Sequence, residues 1–360
     1  MPFCARRCSY CDFSIAVRRV VPVKRFIDAI KAELVTRAIG APSAPVQSIY
    51  LGGGTPSKLG FGVADITNMI STFLGIQARD VPEVTVEANP EDISPEVVRA
   101  WRLAGVNRVS LGVQSFDPAV LEWMHRTHTV AQVSEAVQIL NGEGMSNFSL
   151  DLIFALPETV ARSWSDDLEK ALALHPRHLS VYGLTVEPHT PLGRWTERGK
   201  EAAAGDARYE QEFLEADEKL TAAGFLHYEV SNYARPGAES VHNSSYWSGT
   251  SYLGLGPSAH GFDGLTRRWN AKDYSRWLEL VESATDPLEG DETLWPAERE
   301  TERVYLGLRT ARGLEASDEQ FRRAAAWVRA GWAKRVADRL VLTPKGWLRM
   351  DRLVTELVSE

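Results

Sequence analysis

Cys4, Cys8 and Cys11, in the string MPFCARRCSYCDF, are the residues best equipped for chemistry, and the chain has no other cysteine. The spacing is C-x3-C-x2-C. An odd, clustered set cannot close a disulfide framework and fits a metal-bound, reduced state. Three thiolates can hold three irons of a 4Fe–4S cluster and leave the fourth open, whereas electron-transfer clusters usually carry four cysteines. An open iron is what a chelating cofactor such as S-adenosylmethionine (SAM) needs. A zinc knuckle completed by a histidine is the alternative chemistry, but no histidine stands beside the cysteines.

The elements that position such a loop are legible as alternating strand-like and helix-like segments. Val46–Leu51 is a short β-rich run ending in Gly52-Gly53-Gly54-Thr55-Pro56. Further strands are predicted over Val84–Ala88, Arg108–Gln114, Phe148–Phe154 and His178–Leu184. Helices are predicted over Pro95–Leu103, Val130–Asn141, Trp164–Leu174 and Ala207–Ala223. Repeated strand–helix units predict a parallel α/β sheet, which places chemistry at the carboxyl ends of its strands. Glu87, Gln114 and Asp151 stand on or near such ends, and the triple glycine follows one. Glycines there let backbone approach a ligand closely.

From about residue 286 the texture changes. Glu298–Leu308, Asp318–Arg329 and Trp347–Val358 read as helices, and Arg339–Thr343 reads as a strand before the Pro344-Lys345-Gly346 turn. Two units are expected: a barrel-like part over 1–285 and a small winged-helix-like unit over 286–360. Without a basic stripe the second unit reads as a lid or docking module rather than a DNA binder.

The 360 residues carry 40 Lys+Arg against 48 Asp+Glu, a net charge of −8, which gives no global attraction to nucleic acid or an anionic membrane. No apolar run reaches the length of a membrane span, and no leader is visible, so a cytoplasmic location is expected. Locally, Arg6, Arg7, Arg18, Arg19, Lys24 and Arg25 make the first stretch basic. That stretch is either a solvated face or a docking surface for an acidic electron donor or for carboxylates of a ligand.

From PFCARRCSYCDF at the start to LTPKGWLRM near the end, the chain resembles the radical SAM family. It is most similar to the branch that contains oxygen-independent coproporphyrinogen III oxidase and the haem chaperone HemW. The resemblance implies an open partial TIM barrel of about six strand–helix units. It implies a 4Fe–4S cluster on Cys4, Cys8 and Cys11, and SAM held near Gly52, Gly53, Gly54, Thr55, Glu87, Gln114, Arg126 and Asp151. In such proteins the reduced cluster cleaves a carbon–sulfur bond of SAM to give a 5′-deoxyadenosyl radical; Arg126 would pair with the methionine carboxylate.

Departures within the family choose the branch. The oxidase carries a further cysteine two residues after the last ligand; here that residue is Phe13. The string His242-Asn243-Ser244-Ser245-Tyr246-Trp247 resembles the haem-associated H-N-x-x-Y-W motif of the chaperone branch, which implies haem contacts by His242, Tyr246 and Trp247. Relatives also carry a strand before the cysteine loop, whereas Met1 stands three residues before Cys4, so the sheet is expected to lack its first strand and expose an edge. The implied function is a haem chaperone that binds cluster, SAM and haem and delivers haem to client haemoproteins. It would draw on a reductant such as flavodoxin or ferredoxin, with a homodimer possible. The alternative is oxidative decarboxylation of coproporphyrinogen III, and whether the chain is an enzyme stays open at this point.

Overall fold

The computed structural model describes residues 1–37 and 44–358. Five parallel strands lie side by side in chain order: β1 (Ser48–Leu51), β2 (Glu83–Ala88), β3 (Arg108–Gln114), β4 (Phe148–Phe154) and β5 (His178–Gly183). An antiparallel hairpin, β6 (Leu226–Glu229) and β7 (Asn232–Ala234), completes the seven-stranded sheet with β7 against β5. The sixth position is thus filled by a strand running the other way. A doubly wound sheet reverses its strand order at a switch point. The sequential order here is that of a barrel, and the sheet is a curled half-barrel.

The two faces of the sheet differ sharply. Val84, Val86, Val109, Leu111, Val113, Leu150 and Leu152 are fully buried on one face. Against it pack α1 (Val23–Thr36), which precedes β1, and the helices between the strands: α2 (Gly62–Leu74), α3 (Pro95–Leu103), α4 (Val130–Gly142), α5 (Trp164–Ala173) and α6 (Asp206–Ala222). The alternate residues, Glu87, Arg108, Ser110, Gly112, Asp151 and Ser180, point to the concave side. Register sets Glu87 beside Ser110, Gly112 beside Asp151, and Asp151 beside Ser180. A parallel sheet covered on both faces reads as a continuous apolar run; this one carries a polar interior.

Local chemistry fixes the helix starts. Ser94 and Ser163 cap α3 and α5, and Thr129 with Gln132 forms a capping box on α4; each such cap contributes about 1 kcal/mol. The predicted strands and these helices agree with the structure to within two residues at most ends.

Beyond the hairpin, α7 (Val241–Trp247) lies against β1, followed by a three-stranded antiparallel sheet of His260–Phe262, Thr266–Asn270 and Leu288–Thr293, with α8 (Tyr274–Glu282) between the last two. No further strand pairs with the outer edge of β1 among the described residues. The remaining segment has the helix Pro296–Leu308 and a small sheet in which Arg339–Leu342 pairs with both Leu314–Glu315 and Ala333–Val336. The segment expected as one helix over Asp318–Arg329 divides at Ala324 into Asp318–Arg323 and Ala325–Arg329.

Candidate functional site

The cysteine loop is clamped before it reaches its first sulfur. Phe3 is fully buried, edge-on to Phe26 at 5.2 Å and to Tyr274 at 5.1 Å, which ties the loop to α1 and α8. The loop then crosses the open end of the sheet. Ser9 N–H donates to Met124 C=O at 3.1 Å, and Ser9 C=O accepts from Leu192 N–H at 2.8 Å. Cys4 is buried, while Cys8 and Cys11 are half-buried. Burial pushes the Cys11 thiol up to about 11, opposed by a hydrogen bond from the Phe13 backbone and reinforced by the neighbouring Cys8 and Cys4; Cys4 is also raised, mainly by burial. Three thiolates facing one cavity are tenable only with a compensating cation.

Under the loop lies the glycine turn. Gly53 has φ +118°, a conformation that L side chains rarely adopt. A Cβ on Gly54 would stand 3.0 Å from Cys4 Sγ and from the Pro2 backbone. The glycines therefore admit the cysteine segment itself, and Gly54 N–H donates to Met1 C=O at 2.7 Å. Cys4 Sγ lies 3.3 Å from Thr55 Oγ1. Glu87 holds the turn from below, accepting from Gly53 N–H at 2.8 Å and from the Tyr50 hydroxyl at 2.6 Å.

All three cysteines line one cavity of about 510 Å³ with Gly53, Gly54, Thr55, Glu87, Gln114, Arg126 and Asp151. Gln114 sits at a β-bulge with φ +68°; an irregular, left-handed strand end aims its side chain off the ladder and into the cavity. Arg126 follows another left-handed residue, His125. Its Nη2 donates to Asn89 Oδ1 and Gly112 C=O, both at 2.7 Å, and its Nη1 lies 3.7 Å from Cys8 Sγ. Its Nε is buried without a partner. Asp151 accepts from the Ser110 hydroxyl at 3.0 Å, and burial raises its carboxyl above the ordinary range.

The H-N-x-x-Y-W string stands apart from this constellation. It forms α7, whose N-terminus is capped by the buried Glu83: Val241 N–H donates to Glu83 Oε2 at 2.8 Å, and His242 N–H to Oε1 at 3.2 Å. His242 Nδ1 bonds the Ser48 hydroxyl at 2.8 Å and Nε2 bonds the Tyr246 hydroxyl at 2.9 Å. Its ring stacks on Tyr50 at 4.5 Å. Trp247 lies under the Arg309 guanidinium, 4.6 Å from ring centroid to Cζ. Neither His242, Tyr246 nor Trp247 lines the cavity, nor does Gly52, and Asn243 alone of the string does. Burial holds His242 neutral, with its pKa lowered to about 4.

Residues 1–171 match the Radical SAM superfamily. The chain is 38% identical to "Heme chaperone HemW" of Mycobacterium tuberculosis (strain CDC 1551 / Oshkosh), over 100% of this chain and 93% of that relative. It is 33% identical to the Bacillus subtilis (strain 168) protein of that name, over 87% and 83%, and 37% identical to that of Escherichia coli (strain K12), over 72% and 68%. The chain belongs to the HemW family. Among solved structures it is similar to coproporphyrinogen III oxidase (HemN) from Escherichia coli, with a TM-score of 0.83 at 21% identity, covering 100% of this chain and 88% of that one. That likeness shows the fold.

Membership of the HemW family within the radical SAM superfamily implies a 4Fe–4S cluster and SAM, and the residues present fit both. Among the described residues no three His, Cys, Asp or Glu side chains converge on a single-ion position. Three sulfurs spread around one cavity suit a multi-iron cluster with one thiolate per iron. The unpaired Arg126 Nε and the buried Asp151 carboxyl are polar groups that a zwitterionic ligand in the cavity can satisfy.

Several participants have no sequence signal of their own. Tyr50 and Asn89 are second partners of Glu87 and Arg126, and both follow from strand alternation once the strand ends are fixed. The Glu229–Ala234 string forms the β6–β7 hairpin, where buried Glu229 bonds Asn232. In the Gly254–His260 string, Gly256 N–H donates to buried Glu33 at 2.8 Å, while His260 is exposed. No helix is long and apolar enough to cross a membrane among the described residues.

Proposed function

We propose that this chain is a haem chaperone that binds a 4Fe–4S cluster, SAM and haem and delivers haem to haemoproteins. The relationship to the Mycobacterium tuberculosis protein named "Heme chaperone HemW", at 38% identity over 100% of this chain, carries that reading. Phe13 supports it: the side chain occupying the place of the oxidase's further cysteine is 56% exposed at the cavity mouth.

Cys4, Cys8 and Cys11 would hold the cluster. Arg126 would give its free Nε to SAM, and Gln114 and Asp151 would face it. Glu87 would act chiefly by holding the glycine turn that admits SAM. A bound cluster and SAM supply one-electron chemistry; the protein's own part is to position SAM and exclude water. His242, neutral above about pH 4, would ligate haem iron after releasing Ser48 and Tyr246. Tyr246 and Trp247 would cover the porphyrin. The basic stretch from Arg6 to Arg25 would receive an acidic reductant such as flavodoxin or ferredoxin, and a homodimer is part of the same proposal. We place the chain in the cytoplasm, where thiols stay reduced. We divide the chain as 1–285 and 286–360, although Leu288–Thr293 pairs with Thr266–Asn270 across that boundary.

The test is a pair of anaerobic assays on the reconstituted protein. Transfer of haem to an apohaemoprotein, without SAM-dependent formation of protoporphyrinogen IX from coproporphyrinogen III, is the expected result. The reverse pattern would contradict the chaperone and establish the oxidase.

A further inference from the structure

The concave face of the half-barrel carries a cation that the site described above does not use. Arg108 begins β3 and is 3% exposed, yet it lines the cavity. Its Nε is buried with no hydrogen-bond partner, and among the described residues no carboxylate lies within ion-pair distance of the guanidinium. Asp151, whose ionised form Arg108 favours through space, is held by the hydroxyls of Ser110 and Ser149 instead. Removing a guanidinium from water without a partner is strongly unfavourable. A fold that keeps one facing a cavity is stabilised by whatever anion enters that cavity.

A second unpartnered group faces the same space. α7 turns His242 outward to Ser48 and Tyr50, which leaves Asn243 as the residue of the H-N-x-x-Y-W string that lines the cavity. Its backbone N–H donates to the Ser240 hydroxyl at 3.2 Å, while its side-chain amide makes no hydrogen bond among the described residues. We propose that Arg108 and Asn243 form a subsite on the cavity wall that receives a carboxylate of the cavity's organic ligand. The planar guanidinium fork matches a carboxylate and the amide adds a donor. At about 510 Å³ the cavity has the size of a small-molecule site rather than of a simple ion pocket.

Two ligands can bring that carboxylate: resting on the haem reading above, a propionate of the porphyrin, or the methionine end of SAM in place of the pairing with Arg126 that the resemblance implies. The experiment titrates the anaerobically reconstituted chain with haem, with haem whose propionates are methyl esters, and with SAM. It compares wild type with Arg108→Gln, Arg108→Lys and Asn243→Ala. Arg108→Gln is expected to weaken one carboxylate ligand by about tenfold to a hundredfold, with partial recovery in Arg108→Lys and a smaller loss in Asn243→Ala. If the source is a propionate, the diester binds wild type and Arg108→Gln equally, and SAM binding is unmoved. If the source is SAM, haem binding is unmoved. In that case the subsite stands even where the wild type binds no haem and the chaperone reading fails. Wild-type affinities for haem and SAM in a folded, cluster-loaded Arg108→Gln overturn the subsite, as does an equal loss for haem and its diester. Should Arg108→Gln fail to fold, Asn243→Ala on the half-buried helix decides: unchanged affinity for both ligands overturns it.

Discussion

The cysteine–glycine end of the half-barrel and the α7 edge are built on opposite plans. Around the cavity, chemistry-bearing groups face open space: three thiols, the Asp151 carboxyl held by serine hydroxyls, and the Arg126 guanidinium, whose Nε has no partner. Along the β1 edge every polar atom of His242 has a partner: Glu83 takes its N–H, Ser48 and Tyr246 take its ring nitrogens, and Tyr50 takes its face. The first region is preorganised for a ligand. The second must exchange internal bonds for external ones before it can act, so its affinity is lowered by whatever those bonds contribute.

The largest expected effect breaks the first region alone. Cys8→Ala leaves two thiolates and should abolish the cluster, with iron and sulfide falling to background after reconstitution, while the apo chain melts as wild type. Retention of a full cluster in that variant would undo the distinction.

Next comes the pH response of the second region. Burial holds the folded pKa of His242 at about 4 against an ordinary 6.5. Between those values the unfolded chain binds the extra proton, so the contribution is complete above about pH 6.5 and is lost as pH falls toward 4, on the order of 3 kcal/mol. His242→Gln should flatten the fall in apo-protein stability over that window. It should not remove it, because burial also lowers His128, His178 and His227. Denaturant unfolding at several pH values measures the slope, and an unchanged slope would show that the ring is not held neutral.

Gly54→Val places a side chain where Cys4 Sγ and the Pro2 backbone stand at 3.0 Å. About 2 kcal/mol of stability should be lost by overpacking, and SAM binding should weaken with it, read by equilibrium dialysis. The smallest effect is Glu83→Gln, which replaces charge-assisted bonds to the α7 N-terminus with neutral ones. It should cost about 1 kcal/mol, visible in the melting temperature and absent from the SAM affinity. A SAM effect in this variant would mean that the two regions communicate through Tyr50 and Glu87.

Much of the first region was legible because its determinants are local. The C-x3-C-x2-C loop, the glycines and the strand ends bearing Glu87, Gln114 and Asp151 are contiguous signals. The polar interior is written in strands such as RVSLGVQ, where Arg108, Ser110, Gly112 and Gln114 alternate with apolar residues, and FSLDLIF, where Ser149 and Asp151 do. α1 and α2 lie outside the predicted segments, and neither has a side chain capping its start, since Pro22 and Phe61 occupy the cap positions. The strands Thr266–Asn270 and Leu288–Thr293 are mostly polar, the first half-buried and the second exposed, so period-two patterning gives no signal. The orientation of His242 was not legible either, because Ser48 and Tyr50, far away in sequence, decide it.

The central claim is that this chain holds haem through the α7 string. Haem titration of the anaerobically reconstituted protein, followed by the Soret band, tests it with His242→Ala alongside. Saturable binding that weakens at least tenfold in the variant, with a changed axial-ligand spectrum, is the predicted result. Equal binding and equal spectra in the two proteins, with the cluster intact, would contradict it.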